Sequence, residues 1–226
     1  VGDRVAGVVA NTIETVIAML ATTSIGAIWS SCSPDFGIPA SLDRFSQIQP
    51  KLLIAVDGYY YGGKTIDCTD KIAALDEQLA VTQTIIIPLL NSQIGNTLVN
   101  HKNIISWQVI MQKKITSELV FEQLPFDHPL FILYSSGTTG KPKCIVHSAG
   151  GTLIQHIKEH RLHTNMDDKD VVFYFTTCGW MMWNWLISSL ACGSTIVLYD
   201  GNPLVTDNAL LDLIDKEKIS VFGSSA

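Results

Sequence analysis

One stretch limits what this chain can fold into more than any other: Leu133 to His147, Leu-Tyr-Ser-Ser-Gly-Thr-Thr-Gly-Lys-Pro-Lys-Cys-Ile-Val-His. The apolar run from Pro129 to Tyr134 enters a turn of hydroxyls and glycines, and a short β-branched run, Ile145 and Val146, leads out. This pattern predicts a strand, a cradle for a polyphosphate and a second strand. Glycines let backbone N–H groups approach an anion closely and adopt positive φ, Ser and Thr hydroxyls donate to phosphate oxygens, and Lys143 supplies a mobile positive charge. The spacing excludes two other phosphate loops. A Walker A loop has four residues between its glycines and Ser or Thr after its lysine, whereas Gly137 and Gly140 enclose two residues and Pro142 follows Lys141. The dinucleotide fingerprint fails as well, because no Gly-x-Gly opens a helix here. A Ser/Thr/Gly surface hairpin between buried strands shares this composition and is the plain alternative.

Around the loop, strand and helix patterns alternate. Val5 to Ala10 reads as a buried strand, and Asn11 followed by Glu14 as a helix start, with Ile13, Val16, Ile17, Leu20 and Ala21 on one inward face. Gly26 ends that helix. Strands are expected at 27–31 and 51–56, with a helix at 39–49 stopped by Pro50. Three tyrosines and Gly62-Gly63 make a hairpin of the segment from Asp57 to Ile66, followed by a helix at 71–79 and a strand at 84–88. Residues 91–124 are the least patterned, with helix suggested at 104–110. Ser148 is placed to cap a helix reaching Leu162, with Leu153, Ile154 and Ile157 inward. Strands at 171–175, 194–199 and 219–222 and a helix at 206–216, with Leu210, Leu211 and Ile214 inward, complete the pattern. It specifies an α/β fold of mainly parallel sheets flanked by helices.

The 226 residues carry a net charge of −6, which gives no basic footprint for nucleic acid or an anionic membrane. Five scattered cysteines form no C-x-x-C pair and no dense disulfide framework, so a reducing, cytosolic setting is expected. The apolar stretch from Met181 to Leu198 is interrupted by Asn184, Ser188, Ser189, Gly193 and Ser194, which reads as a buried helix and a strand, not a membrane span. With only 16% charged residues against an apolar content of 47%, much surface is expected to be covered by chain outside this sequence. His147, His156, His160 and His163 lack an acidic or thiol partner at ligand spacing and read as surface or packing residues; no metal site is expected.

Thr176-Thr-Cys-Gly-Trp-Met-Met-Trp-Asn-Trp185 concentrates three tryptophans and two methionines, more than packing requires. Trp180, Trp183 and Asn184 fall at i, i+3 and i+4 of a helix. Ordinary core is one reading. A pocket for a small carboxylic acid, apolar walls with a placed amide from Asn184, is the other.

The phosphate loop resembles the signature of the adenylate-forming superfamily, which includes acyl-CoA synthetases, luciferases and peptide-synthetase adenylation domains and is written S/T-S-G-S/T-T-G-x-P-K-G. Cys144 stands where that pattern has its last glycine. Trp29-Ser-Ser-Cys-Ser-Pro-Asp-Phe-Gly37, Leu42-Asp-Arg-Phe45, the tryptophan run and Leu198-Tyr-Asp-Gly201 are similar to the acetoacetate-activating branch. The resemblance implies that residues 1–226 are part of the large N-terminal adenylating domain, without the C-terminal domain. It implies ATP with Mg²⁺, and CoA as co-substrate: acetoacetate, ATP and CoA give acetoacetyl-CoA, AMP and pyrophosphate through acetoacetyl-AMP. Ser135, Ser136, Gly137, Thr138, Thr139 and Gly140 would hold the β- and γ-phosphates, with Lys143 as the catalytic charge. Trp180, Met181 and Met182 would line the acyl site, and Lys64 would meet a CoA phosphate unless it is a solvated turn lysine. The Mg²⁺-associated glutamate, the ribose-binding aspartate and the C-terminal lysine of such enzymes lie beyond this sequence, so the chain by itself is expected to be inactive. An acetyl- or propionyl-CoA ligase and a non-catalytic nucleotide-binding protein remain the competing readings.

Overall fold

Short apolar strands, buried on both sides, organise the larger of three sheets. The computed structural model describes residues 1–90, 98, 103–114, 118–135 and 140–224. In chain order, β1 (Arg4–Val8), α1 (Ile13–Ser24), β2 (Ile28–Cys32), α2 (Ile38–Ile48) and β3 (Leu52–Val56) are followed by a hairpin, β4 (Gly58–Tyr61) and β5 (Lys64–Asp67). Then come α3 (Thr69–Leu79), β6 (Gln83–Ile87), β7 (Ile104–Ser106), α4 (Trp107–Met111), β8 (Pro129–Ser135) and β9 (Lys143–Ser148). The sheet order is β7-β6-β3-β1-β2-β8-β9, and every pairing is parallel except the last.

Side chains of alternating residues serve two cores. Val5, Ile54 and Val56 pack with Val16, Met19, Trp183 and Ile187 on one face, whereas Ala6, Val8, Leu53 and Ala55 pack with Phe45, Ile72 and Leu75 on the other. Connections from β1 to β2 and from β2 to β3 run in opposite directions across the sheet. Right-handed crossover therefore puts α1 and α2 on opposite faces.

A smaller parallel sheet, β11-β10-β12, follows from β10 (Val171–Tyr174), β11 (Thr195–Val197) and β12 (Val221–Gly223). Its helices are α5 (Ala149–Lys158), continued by a π-helical turn at Glu159–His163, α6 (Met181–Ser188) and α7 (Ala209–Glu217). The hairpin turn has positive φ at both Gly62 and Gly63, which suits the glycine pair to a tight two-residue connection. Among the described residues no helix is long and apolar enough to cross a membrane.

Five expectations are corrected. Thr12, not Asn11, is the N-cap of α1, and it makes no side-chain cap bond. The inward face of α1 is Thr15, Val16, Ala18, Met19 and Thr22, while Ile13 is 67% exposed and Ile17 and Leu20 also face out. Thr15 and Thr22 bury at little cost because their hydroxyls donate to the Ala10 and Ala18 carbonyls at 2.7 Å each. On α5 it is His156 that is buried, with Leu153 and Ile154 exposed; on α7 Leu211 is exposed. The segment read as helix at 104–110 begins as strand β7 because Ile104 and Ile105 extend the sheet beside β6.

Candidate active site

All the strands of the larger sheet except β9 end at one edge, and the site elements gather there. Ligands of open parallel sheets bind at such an edge. β8 stops at Ser135 and the chain returns as β9, with Tyr134 opposite Cys144 and Ser135 opposite Lys143. The predicted phosphate-loop residues Ser136, Gly137, Thr138 and Thr139 lie outside the described residues. Gly140 has φ +140° and open space where a Cβ would stand, and Lys143 is exposed at the first position of β9. Two predicted residues, Ser135 and Lys143, therefore stand face to face at the root of the turn.

Helix α2 supports this turn from one side. Asp43 pairs with the Lys141 ammonium at 3.6 Å, and the Gln47 side-chain nitrogen donates to the Pro142 carbonyl at 2.8 Å. Beneath it, Tyr134 packs edge-on against Phe45 with ring centroids 6.4 Å apart, and the Arg44 guanidinium lies 5.8 Å from the tyrosine ring. Burial holds the Tyr134 phenol well above its ordinary range despite its hydrogen bond to Ser30, so it stays protonated. The Leu42-Asp-Arg-Phe45 stretch was legible as a landmark, but the roles of Asp43 and Gln47 were not. Their i, i+4 spacing was the available signal.

The tryptophan segment docks at the end of β2, the strand beside β8. The Ser31 hydroxyl donates to the Cys178 carbonyl at 2.7 Å. A Cβ on Gly179 would stand 3.3 Å from the Cys32 Cα, so glycine permits this close approach of two backbones. From that anchor Trp180, 60% exposed, and Met182 line a cavity of about 340 Å³ with Tyr174, Phe175, Thr176 and Thr177. Met181 is beside them in sequence and 44% exposed, but it is not part of that lining.

Asn184 is separated from this cavity. It is buried in α6 and lines a second hollow with Met19, Leu130, Phe131 and His156; its side-chain oxygen has no hydrogen-bond partner among the described residues. Trp183 is fully buried, and its indole N–H donates to the Asn11 side-chain oxygen at 2.9 Å. The Asn11 amide in turn donates to the Tyr199 carbonyl at 3.3 Å, and its backbone N–H to the Asp200 carboxylate. Asn11 was read as a cap; it is the polar joint between the end of β1, helix α6 and the segment after β11. Burial raises the Asp200 carboxyl above the usual range, partly offset by the Asn11 N–H.

Lys64 is exposed in the hairpin that leaves the end of β3, across from Tyr61. That hairpin reaches the Leu198–Gly201 landmark, for a Cβ on Gly201 would lie 4.0 Å from the Tyr60 carbonyl oxygen. Of the four histidines, His156 and His160 form a packing cluster, His147 lies against Phe131 and His163 is exposed. Ser188 donates to the Trp185 carbonyl at 2.7 Å, so its lone pairs accept from His156 Nδ1 and His160 Nε2, both at 2.9 Å. Burial lowers both, His156 to about 4. Among the described residues no three His, Cys, Asp or Glu come together as a metal site.

The family model described as AMP-binding enzyme matches residues 1–225. The chain belongs to the AMP-binding enzyme family. Acetoacetyl-coenzyme A synthetase of Rhizobium meliloti (strain 1021) is 54% identical to this chain over 228 residues, covering 100% of it and 34% of the relative. Acetoacetyl-CoA synthetase of Gallus gallus is 52% identical over 231 residues, covering 100% and 35% respectively. The solved structure of acetoacetyl-CoA synthetase from Streptomyces lividans superposes with a TM-score of 0.92 at 44% identity, covering 99% of this chain and 34% of that structure's chain. The chain thus spans about a third of the length of the relatives it matches.

Proposed function

We propose that the full-length protein containing this chain is an AMP-forming acid–thiol ligase that converts acetoacetate, ATP and CoA into acetoacetyl-CoA, AMP and pyrophosphate, and that residues 1–226 are part of its large adenylating domain. The observation that carries the reading is the convergence of the phosphate turn and the tryptophan cavity on one sheet edge, through adjacent strands β8 and β2. Chain-wide similarity to proteins named acetoacetyl-CoA synthetase supports the choice of acid.

The first half-reaction is attack of the acetoacetate carboxylate on the ATP α-phosphate, with pyrophosphate leaving; the CoA thiol then displaces AMP from the acyl-adenylate. Negative charge accumulates on the departing phosphates. Backbone N–H groups and hydroxyls of Ser135, Ser136, Gly137, Thr138, Thr139 and Gly140, with the Lys143 ammonium, serve that charge. The acid lies in the cavity of Trp180 and Met182, which holds the carboxylate for attack. Lys64 is assigned to a CoA phosphate, and Asn184 and Met181 to the shape of the acyl site through α6. Mg²⁺ accompanies the ATP and neutralises phosphate charge when bound; the described residues hold no carboxylate set for it. Five unpaired cysteines suit a reducing cytosol, where acetoacetate is drawn into lipid metabolism.

Acid-dependent exchange of labelled pyrophosphate into ATP by the full-length protein tests this reading. Acetoacetate is expected to exceed acetate and propionate in kcat/KM. Equal or better use of the shorter acids would make the protein a general short-acid ligase, and binding of ATP without exchange would make it a nucleotide-binding protein.

A further inference from the structure

Resting on the proposed function, we infer that Gln47 is a positioning residue for the ATP end of the site, and that Cys144, in the place of the family's glycine, is one of its partners. Gln47 sits at the C-terminal end of α2. Its side-chain nitrogen donates one proton to the Asp43 carbonyl at 2.6 Å and the other to the Pro142 carbonyl at 2.8 Å, and its side-chain oxygen faces the Cys144 thiol at 3.6 Å. The reverse amide orientation would set oxygen against two carbonyls, so the assignment follows from the partners.

The arrangement grips Lys143 from both sides. Pro142 has no N–H to offer, so its carbonyl is the backbone group available to hold this residue. Cys144 packs with the core on the α2 side of the sheet. Alternation along a strand then turns Lys143 away from α2. One turn earlier on the same helix, Asp43 takes the Lys141 ammonium, so Asp43 and Gln47 hold three of the four residues from Lys141 to Cys144 by side chain or carbonyl and leave Lys143 unencumbered. Burial raises the Cys144 thiol, which keeps its proton in place as a donor to Gln47. Glycine at 144 would leave the glutamine oxygen without that donor.

The test uses the full-length protein and compares Gln47→Leu, Gln47→Glu and Cys144→Gly. Gln47→Leu keeps the side chain's bulk and removes three hydrogen bonds; the KM for MgATP is expected to rise about three- to tenfold, with the KM for acetoacetate within twofold and Tm unchanged. Gln47→Glu presents acceptors where two donors are needed and is expected to do no better. Cys144→Gly is expected to raise the KM for MgATP about twofold in the native background and not at all beside Gln47→Leu, the non-additivity of a shared contact. An unchanged KM for MgATP in Gln47→Leu, full function in Gln47→Glu, or an equal rise in both KM values with a lower Tm would overturn the inference. Calorimetric binding of MgATP without any acid provides a second arm. If no acid supports exchange, the ligase reading falls while weaker MgATP binding by Gln47→Leu still upholds the positioning role; a native protein that binds no MgATP overturns both.

Discussion

Lys143 is the residue on which the proposed chemistry concentrates, because it is charged, exposed and opposite Ser135 at the root of the turn. Lys143→Ala in the full-length protein is expected to lower acetoacetate-dependent pyrophosphate exchange about 10²-fold or more, the scale of losing one preorganised charge stabiliser. A native rate would remove it from the mechanism. Met182 lines the tryptophan cavity and Met181 flanks it, so Met181→Gly with Met182→Thr is expected to move the kcat/KM ratio toward acetate. If competition between the two acids is unaltered, the acyl site lies elsewhere. His156 and His160 have a different consequence. Their native pKa values are depressed, so the neutral forms are favoured by folding, and the unfolded chain takes up more protons as pH falls. Stability is therefore present above pH 6.5 and declines from there toward pH 4. Urea midpoints measured across that window should show the slope, and His156→Gln should reduce it.

At the scale of elements, legibility followed burial on one side or two. The inner strands of the larger sheet are buried on both faces, so 5–10, 27–31, 51–56 and 84–88 stood out as continuous runs close to the observed β1, β2, β3 and β6. α1 misled for a physical reason: isoleucines outweigh threonines in any apolar count, yet threonines whose hydroxyls find a backbone carbonyl, Thr15 that of Ala10 before the helix and Thr22 that of Ala18 within it, turn inward as readily. The tryptophan run was recognised, but its division was hidden, because Trp180 precedes α6 in extended backbone and does not share the face of Trp183 and Asn184. That division comes from Asn11, 172 residues earlier in the chain than Trp183, and no local pattern records such a partner. Asn11→Ala is expected to cost about 1–3 kcal/mol by leaving the buried indole N–H unpaired. Trp183→Phe should cost measurably less beside Asn11→Ala than alone in equilibrium unfolding. Strict additivity of the two would mean that the bond contributes nothing.

Across the whole molecule, the apolar surface is the dominant feature. Ile13 and Ile17 border one hollow, Leu20 and Leu153 another, and Leu190 belongs to both, which makes one continuous greasy face. Ile145 and Val146 are exposed on β9, an edge strand. Patches of this kind on a soluble chain mark surface that meets another partner. The 226-residue chain alone is expected to enhance ANS fluorescence and to self-associate in light scattering, and the full-length protein to do so far less. A monodisperse, dye-silent 226-residue chain would contradict this. The Asn11–Trp183 bond has a further consequence on the ribosome. The central strand β1 is made well before α6, and the amide just beyond it waits for some 170 more residues before its indole exists. Early intermediates must keep that amide wet, so the first strands can assemble as the chain emerges while the edge that would bind nucleotide closes only after α6 and the segment following β11 have been made.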